Sequence, residues 1–148
     1  MYRTLAYATF VCWALMVIGL PGQQRASSPA AAPTLNFDFF MTKVQPIFLN
    51  KRPGHARCIS CHGSGTPLRL QPLDPGKTTW TEEESEANFQ AVRRVANAGL
   101  QSKLLLHPLA EAAGGDFFHN GGKHFNSQND PEWQTLKAWV TGQTATRN

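Results

Sequence analysis

Charge is scarce in this chain, and neither sign dominates it. Of 148 residues 16% are charged, and 14 basic against 10 acidic side chains leave only +4, too small and scattered an excess to recruit a nucleic acid. Cysteine and methionine are scarcer still, at three each. No stretch alternates apolar and polar residues over the length of a strand, so a sheet is not expected beyond one short hairpin. No internal repeat occurs. The chain is too short for a multidomain enzyme and long enough for one domain with its own core. A hydrophobic fraction of 41% excludes a disordered chain or a polytopic membrane protein. The function must therefore come from a local motif.

The only long apolar run lies at the N terminus, where Arg3 precedes the stretch from Leu5 to Leu20, closed by Pro21-Gly22. It falls short of the roughly 20 residues that span a bilayer comfortably, and residues 1–30 read as an export signal; an uncleaved membrane anchor is the alternative. The small residues from Ala26 to Ala32 offer a peptidase site. Cleavage would remove Cys12 and leave Cys58 and Cys61, both in one motif. It would also remove Arg3 and Arg25, half of the +4 excess, so no strong electrostatic steering of a partner is expected. Residues 31–35 read as an extended tether, 36–143 as the domain and 144–148 as a disordered tail.

Helical signals dominate the domain. Asn36 or Asp38 can cap a first helix whose Phe37, Phe40, Val44, Ile47 and Phe48 recur near helical spacing, with Pro46 expected to kink or end it. Residues 63–77, rich in Gly, Pro and Ser, read as a loop to which Leu68 and Leu70 give apolar contacts. A second helix is predicted from Glu82 to Ala98, because Thr81 and Glu84 form a capping box and Gly99 supplies a stop. The last helix opens with Asp130 and Pro131, turns Trp133, Leu136, Trp139 and Val140 inward, and stops at Gly142. Trp133 and Trp139 are expected to pack on the first helix, Met41 to lie in the core, and Arg93 and Arg94 to form a solvated face. The expected fold is all-α, a small domain of three to five helices.

The informative motif is Cys58-Ile59-Ser60-Cys61-His62, the C-x-x-C-H pattern of covalent haem attachment. Two thiols at this spacing reach two vinyl groups of one haem, and the next residue presents an imidazole to the iron. A redox dithiol normally opens a helix in a βαβ setting, which is missing. A structural zinc site would need a second close Cys or His pair, which His55, His107, His119 and His124 do not make. One covalent haem c, held by Cys58 and Cys61 with His62 as ligand, is the expectation.

No methionine follows the motif, and Met41 is a core residue by its neighbours. The distal ligand must then be sought among the other histidines. His119 and His124 lie in Asp116-Phe117-Phe118-His119-Asn120-Gly121-Gly122-Lys123-His124-Phe125, a glycine-rich stretch where backbone can approach a flat cofactor. One of the two is expected to face the iron.

These features resemble the monohaem c-type cytochromes of the planctomycete-type cytochrome c group. The likeness runs through Val44-Gln45-Pro46-Ile47-Phe48, the haem motif with Gly63, Leu68-Arg69-Leu70, Ser102-Lys103-Leu104-Leu105-Leu106-His107-Pro108-Leu109, His119-Asn120-Gly121-Gly122 and the segment from Asp130 to Val140. In that family the loop before the last helix carries Met-Pro-Pro or His-x-Gly-Gly, and this chain has the second form. The resemblance thus implies His119 as distal ligand, with His124 the fallback and His107 third. It implies a cytochrome c-like domain wrapped around one haem, passing single electrons between redox partner proteins. Such a protein is an exported, periplasmic electron carrier, free or tethered to the membrane, and not itself an enzyme. The alternatives are a haem sensor or peroxidase-like enzyme with an open sixth iron position and, more remotely, a haem-free metal-binding or interaction module.

Overall fold

The computed structural model describes residues 34–144. The signal or anchor over 1–30, residues 31–33 of the tether and the tail after Thr144 lie outside the described residues. Five helices and no strand are found among them, in agreement with the all-α expectation.

Helix α1 covers residues 37–49. Asn36 starts it, its Oδ1 accepting from the Phe39 N–H at 2.7 Å. Pro46 has no N–H and its ring crowds the carbonyl one turn back, so a regular α-helix cannot pass through it unaltered. The helix answers by widening over Phe40–Val44 into a π turn, in which the Gln45 N–H reaches back to the Phe40 carbonyl, before closing again over Gln45–Leu49. Pro46 therefore produces a π turn instead of an end. Phe40, Val44, Ile47 and Phe48 fill the inner face. Met41, one step round the helix from Phe40, is only partly buried and stands outside the core. Leu35, assigned to the tether by sequence, packs against that core, so the domain begins one residue earlier than expected.

Helix α2, Cys58–His62, turns Ile59 inward. Helix α3, Glu82–Ala96, opens with the expected capping box: the Glu84 carboxylate accepts from the Thr81 N–H at 2.7 Å and the Thr81 hydroxyl from the Glu84 N–H at 3.2 Å. Its inner face carries a polar ladder. The Gln45 amide donates to the Ser85 hydroxyl at 2.8 Å, and the Asn88 carbonyl accepts from the Gln71 N–H at 2.6 Å. The ladder fixes α1, α3 and the 63–77 loop to one another through groups that could not stay buried unpaired. Gly99, with φ of +54°, ends this region and leads into the turn Gly99–Gln101.

The short helix α4, Lys103–Leu106, is followed by the turn Glu111–Ala113. Helix α5, Pro131–Val140, begins with Asp130 accepting from the Glu132 and Trp133 N–H groups. Trp139 is fully buried against Phe40 at 5.3 Å and Phe89 at 6.0 Å between ring centroids. Trp133, expected on α1, sends its indole N–H to the Leu105 carbonyl at 3.2 Å and so ties α5 to α4. Arg93 and Arg94 are exposed as expected.

A lone parallel bridge joins Leu109 to Phe125, with Ala110 N–H to the Phe125 carbonyl at 2.8 Å and Phe125 N–H to the Pro108 carbonyl at 3.0 Å. It closes the neck of the loop that carries His119. Gly115 sits at that neck, where a Cβ would stand 2.0 Å from the Leu109 carbonyl oxygen. Only glycine fits.

Candidate functional site

Between α1, α2, α4, α5 and the 110–124 loop lies a cavity of about 340 Å³. Its size falls within the range of cofactor sites, about 300–1,000 Å³. Cys58, Cys61 and His62 line it together with His107, His119 and His124. Apolar side chains, among them Phe48, Leu68, Leu104 and Leu136, line most of the rest. All the ligand candidates read from the sequence are therefore brought to one place, the fallback His124 and the third-ranked His107 included.

The two thiols are free. Burial pushes the Cys58 thiol up to about 11, so it stays protonated at neutral pH. A thiol that is not a thiolate is a poor redox nucleophile. Among the described residues no three His, Cys, Asp or Glu side chains converge to hold a metal ion. The arrangement does not suit a four-donor zinc centre.

The imidazoles are oriented from behind. His62 is half-buried, its Nδ1 3.0 Å from both the Leu68 carbonyl and the Thr66 hydroxyl. His119 has its Nδ1 2.6 Å from the Gly122 carbonyl. Carbonyls only accept, so in both rings Nδ1 carries the proton and Nε2 keeps its lone pair. The two rings lie 6.2 Å apart between centroids with 16° between their planes. An ion about 2 Å from each of two imidazole nitrogens sets the ring centres about 6 Å apart. The separation of the two rings matches that of imidazoles sharing one metal ion. A flat group between them could be anchored at its edge by the adjacent thiols.

Charge around the site follows from position. Burial, helped by the neighbouring His62 and His107, pushes His119 below the ordinary histidine range, keeping it neutral. Burial likewise drives His124 down to about 4, with His55, its ring 4.8 Å away, as the next cause. Asp116 is pushed up by burial, yet Lys103 at 3.0 Å and His107 outweigh that and hold its carboxyl below the usual range. Since the unfolded chain protonates His124 near 6.5 and the folded one only near 4, the unfolded state binds more protons between these values. Stability of the haem-free chain should fall as pH drops from about 6.5 towards 4, and His124→Gln should flatten that slope in thermal melts.

Sequence reasoning missed Arg52. Its guanidinium donates to the His124 carbonyl at 2.8 Å, pairs with Asp130 at 2.5 Å and Glu132 at 3.3 Å, and lies 4.8 Å over the Phe125 ring. It thereby holds the approach to the C-x-x-C-H helix against the end of the distal loop and the start of α5. No local pattern marks it, because its partners lie far away in the chain. Arg69 is exposed and does not line the cavity; Arg57 and Lys103 are the cations that do. Compared with protein-family models, with curated proteins and with solved structures, the chain matches none of them.

Proposed function

We propose that the chain is an exported c-type cytochrome domain, with one haem on Cys58 and Cys61, His62 and His119 as axial ligands, and single-electron transfer to and from protein partners as its work. The observation that carries the reading is the facing pair His62 and His119, 6.2 Å apart, in the same cavity as both cysteines. Two protein donors suffice for a haem iron, whose other four ligands come from the porphyrin.

Each residue then has a chemical task. The Cys58 and Cys61 thiols would hold the haem by thioether bonds to its two vinyl groups, an addition in which sulfur takes one carbon and the thiol proton the other, so that no oxidant would be needed. The Leu68 carbonyl orients His62, and the Gly122 carbonyl orients His119. Apolar walls exclude water, which favours retention of a large hydrophobic cofactor. The bound iron supplies the one-electron couple. Exposed Cys61 sets one edge of the cavity close to solvent, where a partner could approach within short range. A second imidazole in place of a thioether favours the oxidised iron, so the potential lies below that of His/Met cytochromes.

Haem attachment to such motifs follows export, which makes the periplasm the expected site of function. Expression alongside a cytochrome maturation system tests both points. The full chain should be exported and gain the mass of one haem, with a low-spin spectrum lacking the near-infrared band of methionine ligation. A chain without residues 1–26 should stay haem-free in the cytoplasm. An exported chain of unmodified mass would refute the reading, and N-terminal sequencing would show whether the anchor is retained.

A further inference from the structure

Arg52 stands between the end of α1 and the first cysteine of the haem motif, and its side chain reaches across to the end of the 110–124 loop, where it donates to the His124 carbonyl at 2.8 Å. Among the described residues this is the only hydrogen bond between residues 50–62, which carry Cys58, Cys61 and His62, and residues 107–125, which carry His119. We propose that Arg52 is a positioning residue for the distal ligand, setting the separation between His62 and His119 at which both can meet one iron; this rests on the cytochrome reading.

The other ties of the loop bind it only to its own side of the molecule. The Leu109–Phe125 bridge and Lys123, which donates to the carbonyls of His107 and Asp116, join residues 107–125 to one another. They do not set how far that unit stands from α2. Arg52 does so from a fixed base. Its two Nη atoms meet the Asp130 carboxylate at 3.0 and 2.5 Å and its Nε meets Glu132 at 3.3 Å, and both acidic residues belong to the start of α5, whose N–H groups Asp130 caps. The Arg52 and Asp130 side chains are only 23% and 20% exposed, so water and salt screen the pair less than one at the surface.

The path from this bond to the ligand is short. His124 follows Gly122 by two residues, and the Gly122 carbonyl holds Nδ1 of His119 at 2.6 Å. The guanidinium also lies 4.8 Å over the Phe125 ring, which fixes the loop end a second time. Towards the haem motif, the Arg52 carbonyl accepts from the His55 N–H at 3.1 Å, a turn that ties Arg52 to the approach to α2. Chemistry singles out arginine. Its planar fork meets a carbonyl and two carboxylates in different directions while its face rests on a ring, which a lysine ammonium cannot do at once. Phe117 and Phe118, just before His119, are 84% and 66% exposed, so little packing there would keep the ligand in place once the loop end moved.

Cyanide titration of the haem-loaded ferric full chain, with amide hydrogen exchange over residues 117–124, tests this. Wild type should bind cyanide weakly, because His119 must leave the iron first. Arg52→Gln should keep its covalent haem yet bind cyanide at least about tenfold more tightly, since the fraction of iron open to a ligand rises, and its 117–124 amides should exchange faster. Arg52→Lys should fall between the two. Asn50→Ala removes the neighbouring bond from the same segment to Glu132 at 2.6 Å without touching the loop, so it should keep wild-type cyanide affinity even while melting earlier. Wild-type affinity in Arg52→Gln would overturn the proposal, as would an equal gain in Asn50→Ala, which would make the effect one of general stability. Should Arg52→Gln fail to fold, wild-type affinity in Arg52→Lys overturns it instead. Wild-type protein without covalent haem would bring down the cytochrome reading, a result separable from a failure of Arg52 because exchange over 117–124 reads the loop without haem.

Discussion

A chain carrying Cys58→Ala and Cys61→Ala together is expected to keep no haem through acid acetone or on a denaturing gel, and to melt well below the haem-loaded chain. The cavity they border is mostly apolar and about 340 Å³, a space too large for side chains to close by relaxation. Filled by a covalently held cofactor, it is part of the core. Left to water, it deprives Phe48, Leu68, Leu104 and Leu136 of their partner at once. Stabilisation by a ligand that binds only the folded state grows with the logarithm of its concentration over its dissociation constant, about 4 kcal/mol at a thousandfold excess, and tethering keeps the cofactor at the site. Against a total of about 5–15 kcal/mol for a domain of this kind, that loss is decisive. Each single change should leave one thioether and a lowered yield. Under the proposed reading His62→Ala should cost more than either, because it would also remove the iron bond on that face. Haem surviving extraction from the double variant would mean that these thiols do not hold it.

Much of this arrangement can be read from local sequence because local chemistry determines it. Asn36, Thr81 with Glu84, and Asp130 cap the helices they announce, since a cap needs only side chains within three or four residues of the N–H groups it satisfies. The grouping of Cys58, Cys61 and His62 on one short helix is equally local. What stays hidden depends on distance along the chain or on backbone compromise. The π turn before Pro46 is one of several ways to absorb a proline, and hydrophobic spacing does not choose among them. Arg52 meets its partners 72 and 78 residues away, and His107 meets the Asp116 carboxylate across the intervening turn. Trp133 and Trp139 look alike in sequence, yet one is claimed by Leu105 and the other by Asn36. Tertiary packing decides such cases.

Trp139→Ala is expected to be the most damaging single change in the core. The side chain is fully buried, lies on Phe40 at 5.3 Å and on Phe89 at 6.0 Å, and donates from Nε1 to the Asn36 carbonyl at 2.9 Å. It is thus the junction of α1, α3 and α5. The Asn36 carbonyl also accepts from the Phe40 N–H at 3.1 Å, so truncation leaves no orphaned acceptor and the loss is one of packing. Tryptophan-to-alanine changes in cores cost about 3–5 kcal/mol, about a fifth or more of the stability of a small domain. For a domain of this size that corresponds to a fall in Tm of more than about 10 °C. Trp139→Phe keeps a ring against Phe40 and Phe89 and should cost markedly less. The cavity side of the molecule offers an internal control: Trp139 does not line the cavity, so under the cytochrome reading whatever folded Trp139→Ala protein remains should keep the wild-type absorption spectrum while melting earlier. A Tm unchanged within about 2 °C would show that α1 and α5 are held together elsewhere, and a changed spectrum at low temperature would show that this junction reaches the ligand pair.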